Sequence, residues 1–427
     1  MKFKVLSCAV LFCGVSWAEV PAHPSSGIPE APELRLFQAC VEKSGGSTLV
    51  SPFSLYETLR YLLPGAGGET KKQIQAVLPR DGAVRKDLAF LSGEDSRFLR
   101  CYSACRIFVD GSVELKPDYV KAVGRECVAP APFLSDKPEA VRQVNAWAAK
   151  NTENRIIGLL SPERVSDRTV VVLVNAMYMR AFWDSKFERK DTKIRPFFRE
   201  DGSSSNVSMM KQQVFTEGRE WPAAGGKYYE KDGVRGASLF LSGGKNSPVF
   251  MAVLPPEGKK LKQFVADMSA DEWNGVLAAL SDRGSDEANA EADKKSLEKR
   301  LEERSRYHLR LPRFSVSSPS VSLKKILMDM GMRNAFSDDA DFSHMGSVSL
   351  NPLMVMDVYQ KSMIRVREDG LEAAASSGSD MEPFAGTPPI GQGPAIEFNR
   401  PFLWLIYSPG NRAVLVAGTY AGPSAGR

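Results

Sequence analysis

Residues 368 to 379 read Glu368-Asp369-Gly370-Leu371-Glu372-Ala373-Ala374-Ala375-Ser376-Ser377-Gly378-Ser379 and follow a strand-like run that ends at Val366. Small and polar residues continue to about Gln392, and so long a segment with little to bury is usually functional or disordered in a compact domain. At a period of two, the charged residues fall on one side and the other side carries Leu371, Ala373, Ala375, Ser377, Ser379, Met381 and Pro383. This alternation predicts a strand with one buried and one solvated face.

Two other structures compete for the same segment. The run from Leu371 to Ala375 is a good helix former, and its residues have poor strand propensity. Gly370 and Gly378 limit such a helix to about two turns, which is marginal without tertiary support. A disordered loop is the third possibility. Composition alone favours helix or disorder, and the rest of the chain reverses that preference.

The segment resembles the hinge of the reactive-centre loop in serpins, which has Glu, a charged residue, Gly, a small residue, Glu and a run of Ala. The matching residues are Glu368, Gly370, Glu372, Ala373, Ala374 and Ala375. Leu371 departs from the family pattern, which usually has Thr or Ser at this position.

Other motifs of the same family follow in order along the chain. They include Ser51-Pro52-Phe53-Ser54, Val144 to Trp147, Leu309 to Phe314, and Phe398-Asn399-Arg400-Pro401-Phe402 before an apolar hairpin. The resemblance covers about residues 36 to 423. It implies an α+β serpin fold with three β-sheets, eight to nine helices and an exposed reactive-centre loop at about 368–397, in a single domain from 36 to 427.

Asn175 lies inside an apolar run from Val170 to Met179 that is typical of a strand buried on both faces. A buried amide must find hydrogen-bond partners, or the fold loses about 1–3 kcal/mol. In serpins this Asn belongs to the shutter, a polar cluster under the main sheet. The resemblance places Ser51, Ser54 and Gln360 in the same cluster, with Gln360 where the family has His, and Trp183 in the breach at the top of the sheet.

The N-terminus has the pattern of a secretory signal peptide. Lys2 and Lys4 precede an apolar run from Val5 to Val15, and a small-x-small cleavage site ends at Ala18. The run is too short to span a bilayer. We expect residues 1–18 to be removed, residues 19–35 to form a flexible lead-in, and the product to be secreted to the extracellular space or the periplasm.

The net charge of +5 is too weak over 427 residues to indicate nucleic acid or an anionic membrane as a partner. Four cysteines remain after the leader: Cys40, Cys101, Cys105 and Cys127. They allow three disulfide connectivities, and the sequence does not choose among them. No metal or cofactor is expected, because Cys101 and Cys105 lack a second Cys or His pair nearby.

Nothing in the sequence indicates a catalytic centre. The chain has His23, His308 and His344 only, none in a hydrolase motif, and no Gly-x-Ser-x-Gly elbow occurs. The resemblance implies a monomeric suicide inhibitor of serine peptidases and not an enzyme. The alternative is a serpin-fold carrier or structural protein that does not inhibit.

The sequence also restricts the target. No Lys or Arg occurs between Glu368 and Asn399, which excludes peptidases that require a basic residue. Counting seventeen residues from Glu368, as is usual in the family, predicts cleavage between Phe384 and Ala385 by a chymotrypsin-like enzyme. Counting backward from Phe398 gives Ile390, and Ile390 or Met381 would suit an elastase-like enzyme. The charged segment from Ser281 to Arg306 is predicted to be a solvated helical excursion.

Overall fold

The computed structural model describes residues 31–79, 99–215, 224–243, 247–281, 306–318, 320–348, 352–371 and 395–423. Within these ranges the chain forms eight α-helices: α1 (Pro32–Glu42), α2 (Pro52–Arg60), α3 (Gly68–Val77), α4 (Pro117–Val123), α5 (Lys137–Asn151), α6 (Leu261–Asp267), α7 (Ala270–Ser281) and α8 (Lys324–Asp329). No helix among them is long and apolar enough to cross a membrane.

The strands in the same ranges are β1 (Leu49–Val50), β2 (Leu99–Val109), β3 (Glu114–Leu115), β4 (Val128–Pro130), β5 (Val171–Phe182), β6 (Lys193–Phe198), β7 (Ser204–Phe215), β8 (Ala224–Gly225), β9 (Tyr228–Lys231), β10 (Val234–Phe240), β11 (Val249–Leu254), β12 (Arg306–Pro312), β13 (Phe314–Ser317), β14 (Val321–Ser322), β15 (Gly346–Ser347), β16 (Asp357–Arg367), β17 (Gly370–Leu371), β18 (Ala395–Glu397), β19 (Phe402–Ser408) and β20 (Ala413–Tyr420). Helices and strands alternate irregularly along the chain, which confirms the α+β class.

Three large sheets contain nearly all of these strands. The central sheet has the order β13-β16-β17-β5-β2-β4, with β14 also paired to β16. A six-stranded sheet runs β1-β20-β19-β11-β10-β9, and a five-stranded sheet runs β18-β12-β7-β6 with β8 beside β7. β15 and β3 form a separate small pair. The three predicted sheets are therefore present.

The central strand β5 is covered on both faces, as its continuous apolar sequence predicts. On the outer face, Val172 and Val174 pack in one cluster with Val144 and Ala148 of α5. On the inner face, Met177 and Met179 pack in the cluster that includes Phe53 of α2. Parallel strands buried in this way lack the polar alternation of a half-exposed strand.

Local sequence signals fix where α2 and α5 begin. Ser51 caps α2, because its side chain accepts a hydrogen bond of 3.2 Å from the Ser54 amide. Asp136 caps α5 by accepting a bond of 3.0 Å from the Glu139 amide. Each helix also has Pro in its first turn, where the missing N–H costs nothing.

The structure corrects two boundaries. The predicted flexible lead-in, 19–35, is wrong at its end, because α1 begins at Pro32 and buries Leu34. The sequence from Leu115 to Val123 predicts a helix over these residues, but Leu115 lies in β3 and α4 begins at Pro117. In both cases Pro occupies the first helical turn, where its fixed φ suits a helix start.

The predicted signal peptide and nearly all of the charged segment, 282–305, lie outside the described residues. Cys40, Cys105 and Cys127 carry reduced thiols, so no disulfide joins these three in the structure. Within the described part of the chain, no group of three or more His, Cys, Asp and Glu is arranged to hold a metal ion.

Candidate functional site

The central sheet is open at one end between β16 and β5. These two strands pair in parallel from Asp357 opposite Val172 to Met363 opposite Tyr178. Beyond Met363 the strands are joined through β17, which is antiparallel to both. The chain that leaves β16 therefore turns back at once into the gap between its own strand and β5.

Leu371 fills this gap. It lies opposite Val366 of β16 on one side and opposite Ala181 of β5 on the other. Its side chain has no exposed surface and packs in the inner core cluster with the same two residues. The period-two pattern predicted Leu371 on the buried face of a strand, and that is where the structure has it.

Gly370 is the residue whose backbone admits the turn. Its φ is +145°, a region that residues with a side chain rarely adopt. A Cβ at this position would lie 2.1 Å from the carbonyl oxygen of Ala181. Only glycine lets the hinge approach β5 this closely.

Glu368 anchors the start of the turn by its side chain. Its carboxylate forms an ion pair with Arg313 and accepts hydrogen bonds of 2.6 Å from Arg313 Nε and 2.7 Å from the Thr192 hydroxyl. Burial alone would raise the pKa of this carboxyl, but the bonds from Arg313 and Thr192 outweigh it and hold the pKa below its usual value. The glutamate is therefore ionised although it is buried.

Trp183 holds the backbone of the same turn. Its indole N–H donates to the carbonyl of Arg367 at 2.8 Å, and its amide donates to the carbonyl of Asp369 at 3.2 Å. The ring packs edge-on against Phe187 and Phe250. The residue predicted for the breach thus contacts the hinge directly.

The four predicted shutter residues come together under the middle of the sheet. Gln360 and Asn175 are paired in register on β16 and β5, and the Gln360 amide group donates to Asn175 Oδ1 at 3.1 Å. Gln360 also accepts from the Ser51 amide at 2.8 Å and donates to the Ser51 carbonyl at 2.9 Å. Gln360 thereby connects β16 and β5, the two strands that border the opening of the sheet, to the start of α2.

Asn175 connects the same cluster to α2 from the other strand. Its Nδ2 donates to the Ser54 carbonyl at 2.6 Å and lies 2.9 Å from the Thr58 hydroxyl and 3.2 Å from the Cys105 sulfur. All these groups are buried except Cys105, which is partly exposed. The amide in the apolar strand is fully satisfied, as its burial requires.

The sequence did not single out Thr58, Cys105, Thr192 and Arg313 as residues of these sites. Thr58 could have been predicted as a member of the shutter cluster, because it follows Ser54 by one helical turn and so lies on the same face of the helix. Cys105, Thr192 and Arg313 had no such signal, since each contacts a site residue that is distant in the sequence. The predicted hinge residues Glu372, Ala373, Ala374 and Ala375 and the predicted reactive bond Phe384-Ala385 lie outside the described residues.

Comparison with known proteins assigns the family. The family model described as Serpin (serine protease inhibitor) matches residues 33–423. Serpin-Z1A of Triticum aestivum is 30% identical over 405 residues, which are 90% of this chain and 91% of that protein.

Two solved structures have the same fold at low identity. The thermophilic serpin tengpin in its native state has a TM-score of 0.73 and 20% identity, covering 92% of both chains. Human thyroxine-binding globulin, solved as a complex with thyroxine, has a TM-score of 0.72 and 21% identity, covering 92% of this chain and 96% of that one. Together with the family match over nearly the whole chain, this shows that the chain belongs to the serpin family.

Proposed function

We propose that this serpin is a secreted suicide inhibitor of serine peptidases, with chymotrypsin-like or elastase-like enzymes as its targets. The observation that carries the proposal is the position of Gly370 and Leu371, which are hydrogen-bonded as a strand between β16 and β5. A new central strand has thus begun at the end of the sheet where the loop departs.

The mechanism follows from extending that strand. A peptidase attacks the scissile carbonyl and becomes acylated, and the broken bond frees the hinge end of the loop to continue into the sheet. About 14 residues at roughly 3.3 Å each carry the acylated peptidase some 45 Å. Each new ladder hydrogen bond contributes about 1 kcal/mol net, so a dozen of them make insertion effectively irreversible. The intact fold is then trapped kinetically.

The residue types of the loop fit this motion. Leu371 is buried on the inner face, so at a period of two Ala373 and Ala375 follow it inward on insertion. Small side chains pass between two packed strands with little resistance, and no charge falls on that face to be buried unpaired. Glu372 and the other acids fall on the solvated face.

The target class follows from the residues available for cleavage. Phe384 is the aromatic residue at the expected distance from Glu368, and its ring suits the apolar pocket of a chymotrypsin-like peptidase. Pro383 lacks an N–H for the ladder and suits the end of the inserted strand. Cleavage at Ile390 or Met381 by an elastase-like enzyme is the second choice.

Mass spectrometry of the peptide released from a peptidase complex decides the site. A new N-terminus at Ala385 supports Phe384, one at Gly391 moves the bond to Ile390, and one at Glu382 moves it to Met381. Inhibition of a strictly trypsin-like enzyme contradicts the exclusion of basic sites.

A non-inhibitory carrier is the other candidate, because the fold is shared with a globulin named for binding thyroxine. Small residues on the inward face of the hinge favour inhibition over this role. The test is to nick the loop with a nonspecific protease and heat both forms. Inhibition by insertion requires a nicked protein that melts at a clearly higher temperature, and an equal or lower melting temperature contradicts it.

A further inference from the structure

The segment that joins β17 to β18 is held at both of its ends by arginines of one short stretch of chain. Asp369, at the hinge end, pairs with Arg189 at 2.9 Å. Glu397 of β18, at the other end, lies 3.8 Å from Arg195 and 3.4 Å from Arg310 of β12. Because Arg189 and Arg195 are only six residues apart in the sequence, both ends of the loop lie beside the same stretch.

This stretch and the strands next to it carry an excess of positive charge, and we call them the basic strip. Its cationic residues are Lys186, Arg189, Lys190, Lys193, Arg195, Lys211 and Arg310, and the acids among and beside them are Glu188, Asp191, Asp369 and Glu397. Seven cations against four carboxylates give the strip a net charge of +3, whereas the whole chain has +5. Charge equal to more than half of the excess on the chain is therefore concentrated where the loop begins and ends.

Strand pairing determines how close these charges lie. Lys211 is directly opposite Arg310 in the ladder of β7 and β12. Lys193 of β6 is opposite Met209, two residues before Lys211, so the Cα atoms of the two lysines are about 8 Å apart. Burial first, and then the charges of Lys211 and Arg310, lower the pKa of His308 on β12. A further positive charge is thus disfavoured at this position, as expected in a positive field.

Three lysines of the strip project their charge into solvent. Lys190, Lys193 and Lys211 are exposed, and none of them pairs with a carboxylate in the described part of the chain. The Debye length is about 8 Å at physiological ionic strength, so charges at this spacing act together on an approaching molecule. Steering of this kind depends on the number and exposure of the charges and not on the orientation of each ammonium group.

We propose that the basic strip is a docking surface for acidic side chains on the rim of the target peptidase. A peptidase that attacks the loop must approach the end of the molecule where both loop ends lie, and the strip lies there. Opposite charges on the two proteins raise the rate of association, and like charges lower it. The inference rests on the proposed function only in requiring that a serine peptidase attacks the loop, and it does not require insertion.

The test compares two charge forms of one basic serine peptidase that cuts the loop. One form is unaltered, and the other has its surface lysines succinylated, which replaces each ammonium group by a carboxylate. The second-order rate constant for loss of the intact loop is measured at 0.1 M and 1 M salt, where the Debye length is about 10 Å and about 3 Å. Each rate is divided by that on a free peptide of residues 372–394, which corrects for the loop's own acids and for any change in the peptidase.

The variant Lys190→Gln/Lys193→Gln/Lys211→Gln removes exposed charge and keeps the arginine ion pairs and the loop. With the succinylated peptidase at 0.1 M salt, it is expected to react at least fivefold more slowly than the unaltered protein. At 1 M salt the two proteins should agree within twofold, and with the unaltered peptidase the variant should react as fast or faster.

The matched control is Lys71→Gln/Lys121→Gln/Lys325→Gln, which removes three exposed lysines outside the strip, on α3, α4 and α8. It is expected to stay within twofold of the unaltered protein in every condition. Equal slowing by both triple variants, or slowing that persists at 1 M salt, overturns the proposal. If the strip variant loses affinity for a sulfated polysaccharide while both peptidase rates stay the same, the strip is a polyanion site and the proposal is again wrong.

The same reactions keep this inference separate from the proposed inhibition. The fraction of SDS-resistant complex reports whether the loop inserts, and the rate of loop loss reports how the peptidase approaches. A loop that is cleaved without forming complex contradicts the proposed inhibition, but its cleavage rate still tests the strip.

Discussion

The carboxylate of Glu368 accepts a 2.6 Å hydrogen bond from Arg313 Nε although the Glu368 side chain is only 4% exposed. The pair lies where β16 ends and the hinge begins, and Phe187 adds a backbone bond of 2.9 Å to the Glu368 carbonyl. Side chain and backbone together therefore hold the hinge turn in place.

This pair predicts an acid-sensitive contribution to stability. Because the folded-state pKa of Glu368 is lowered, its contribution is fully present above the unfolded value of about 4.3 and is lost as the pH falls through the folded value. Glu368→Gln is expected to cost about 2–4 kcal/mol at pH 7. The difference from the unaltered protein should shrink steadily between about pH 5 and pH 3.

Urea unfolding midpoints across that pH range measure the effect. Glu257→Gln, which changes an exposed glutamate, is the control and is expected to shift the midpoint little at any pH. A Glu368→Gln deficit that is the same at pH 3 and pH 7 contradicts the assignment of the buried charge.

Gly370→Ala is predicted to release the hinge from the sheet. A Cβ at 2.1 Å from the Ala181 carbonyl and the φ of +145° cannot both be accommodated with β17 in place. We expect amide hydrogen exchange in residues 368–371 to become at least tenfold faster, because local opening no longer has to break this pairing.

Gly258→Ala is the matched control for Gly370→Ala. Gly258 also has a positive φ, +80°, but nothing lies within 4 Å of a Cβ there. It carries the backbone strain without the clash, so exchange in residues 368–371 should be unchanged. Equal acceleration by both variants shows that the effect is general destabilisation.

Gln360 is predicted to support the sheet through both atoms of its amide. Gln360→Leu leaves the Ser51 amide and Asn175 Oδ1 without their bonds and is expected to cost about 2–4 kcal/mol. Gln360→His can still donate and accept, and it should retain more than half of that stability. Thermal and urea unfolding of both variants decide this, with the exposed Gln263→Leu as the control. Equal losses for Leu and His contradict the hydrogen-bond explanation.

How far the sequence predicted these sites depends on whether the contacts are local. The buried strand around Asn175 follows from its apolar run alone. The inward side of Leu371 follows from the period-two pattern, but only the family resemblance favoured a strand there over a helix or a disordered loop. The hydrogen bond between Asn175 and Gln360 could be predicted only from the family resemblance. The two residues are 185 positions apart, and the local sequence does not determine how distant strands are paired. The ion pair of Arg313 with Glu368 was not predicted, because the sequence contains many arginines and does not show which of them lies beside Glu368.

The start of α1 shows the opposite case, a local signal that was available. Pro32 is followed by Leu34, Leu36, Phe37 and Val41, all buried, at helical spacing. Pro in the first turn before such a pattern is a helix start. The abundance of Pro and Ser before it favoured a flexible lead-in as far as residue 35, although the local signal places the helix start at Pro32.

Insertion of the loop makes the sharpest prediction about function, because it distinguishes neighbouring residues. Ala375 falls on the inward side set by Leu371, and Ala374 falls on the solvated side. Ala375→Arg would bury an unpaired guanidinium in the sheet, which costs several kcal/mol, so insertion slows and hydrolysis of the acyl intermediate wins. The yield of SDS-resistant complex with a chymotrypsin-like peptidase should fall at least tenfold, while the loop is still cleaved. Ala373→Arg should behave in the same way.

Ala374→Arg adds the same charge one residue away and should keep its complex yield within twofold of the unaltered protein. If Ala375→Arg forms complex at the unaltered yield, the assigned inward face is wrong. If Ala374→Arg fails equally, the charge acts on peptidase docking and not on insertion.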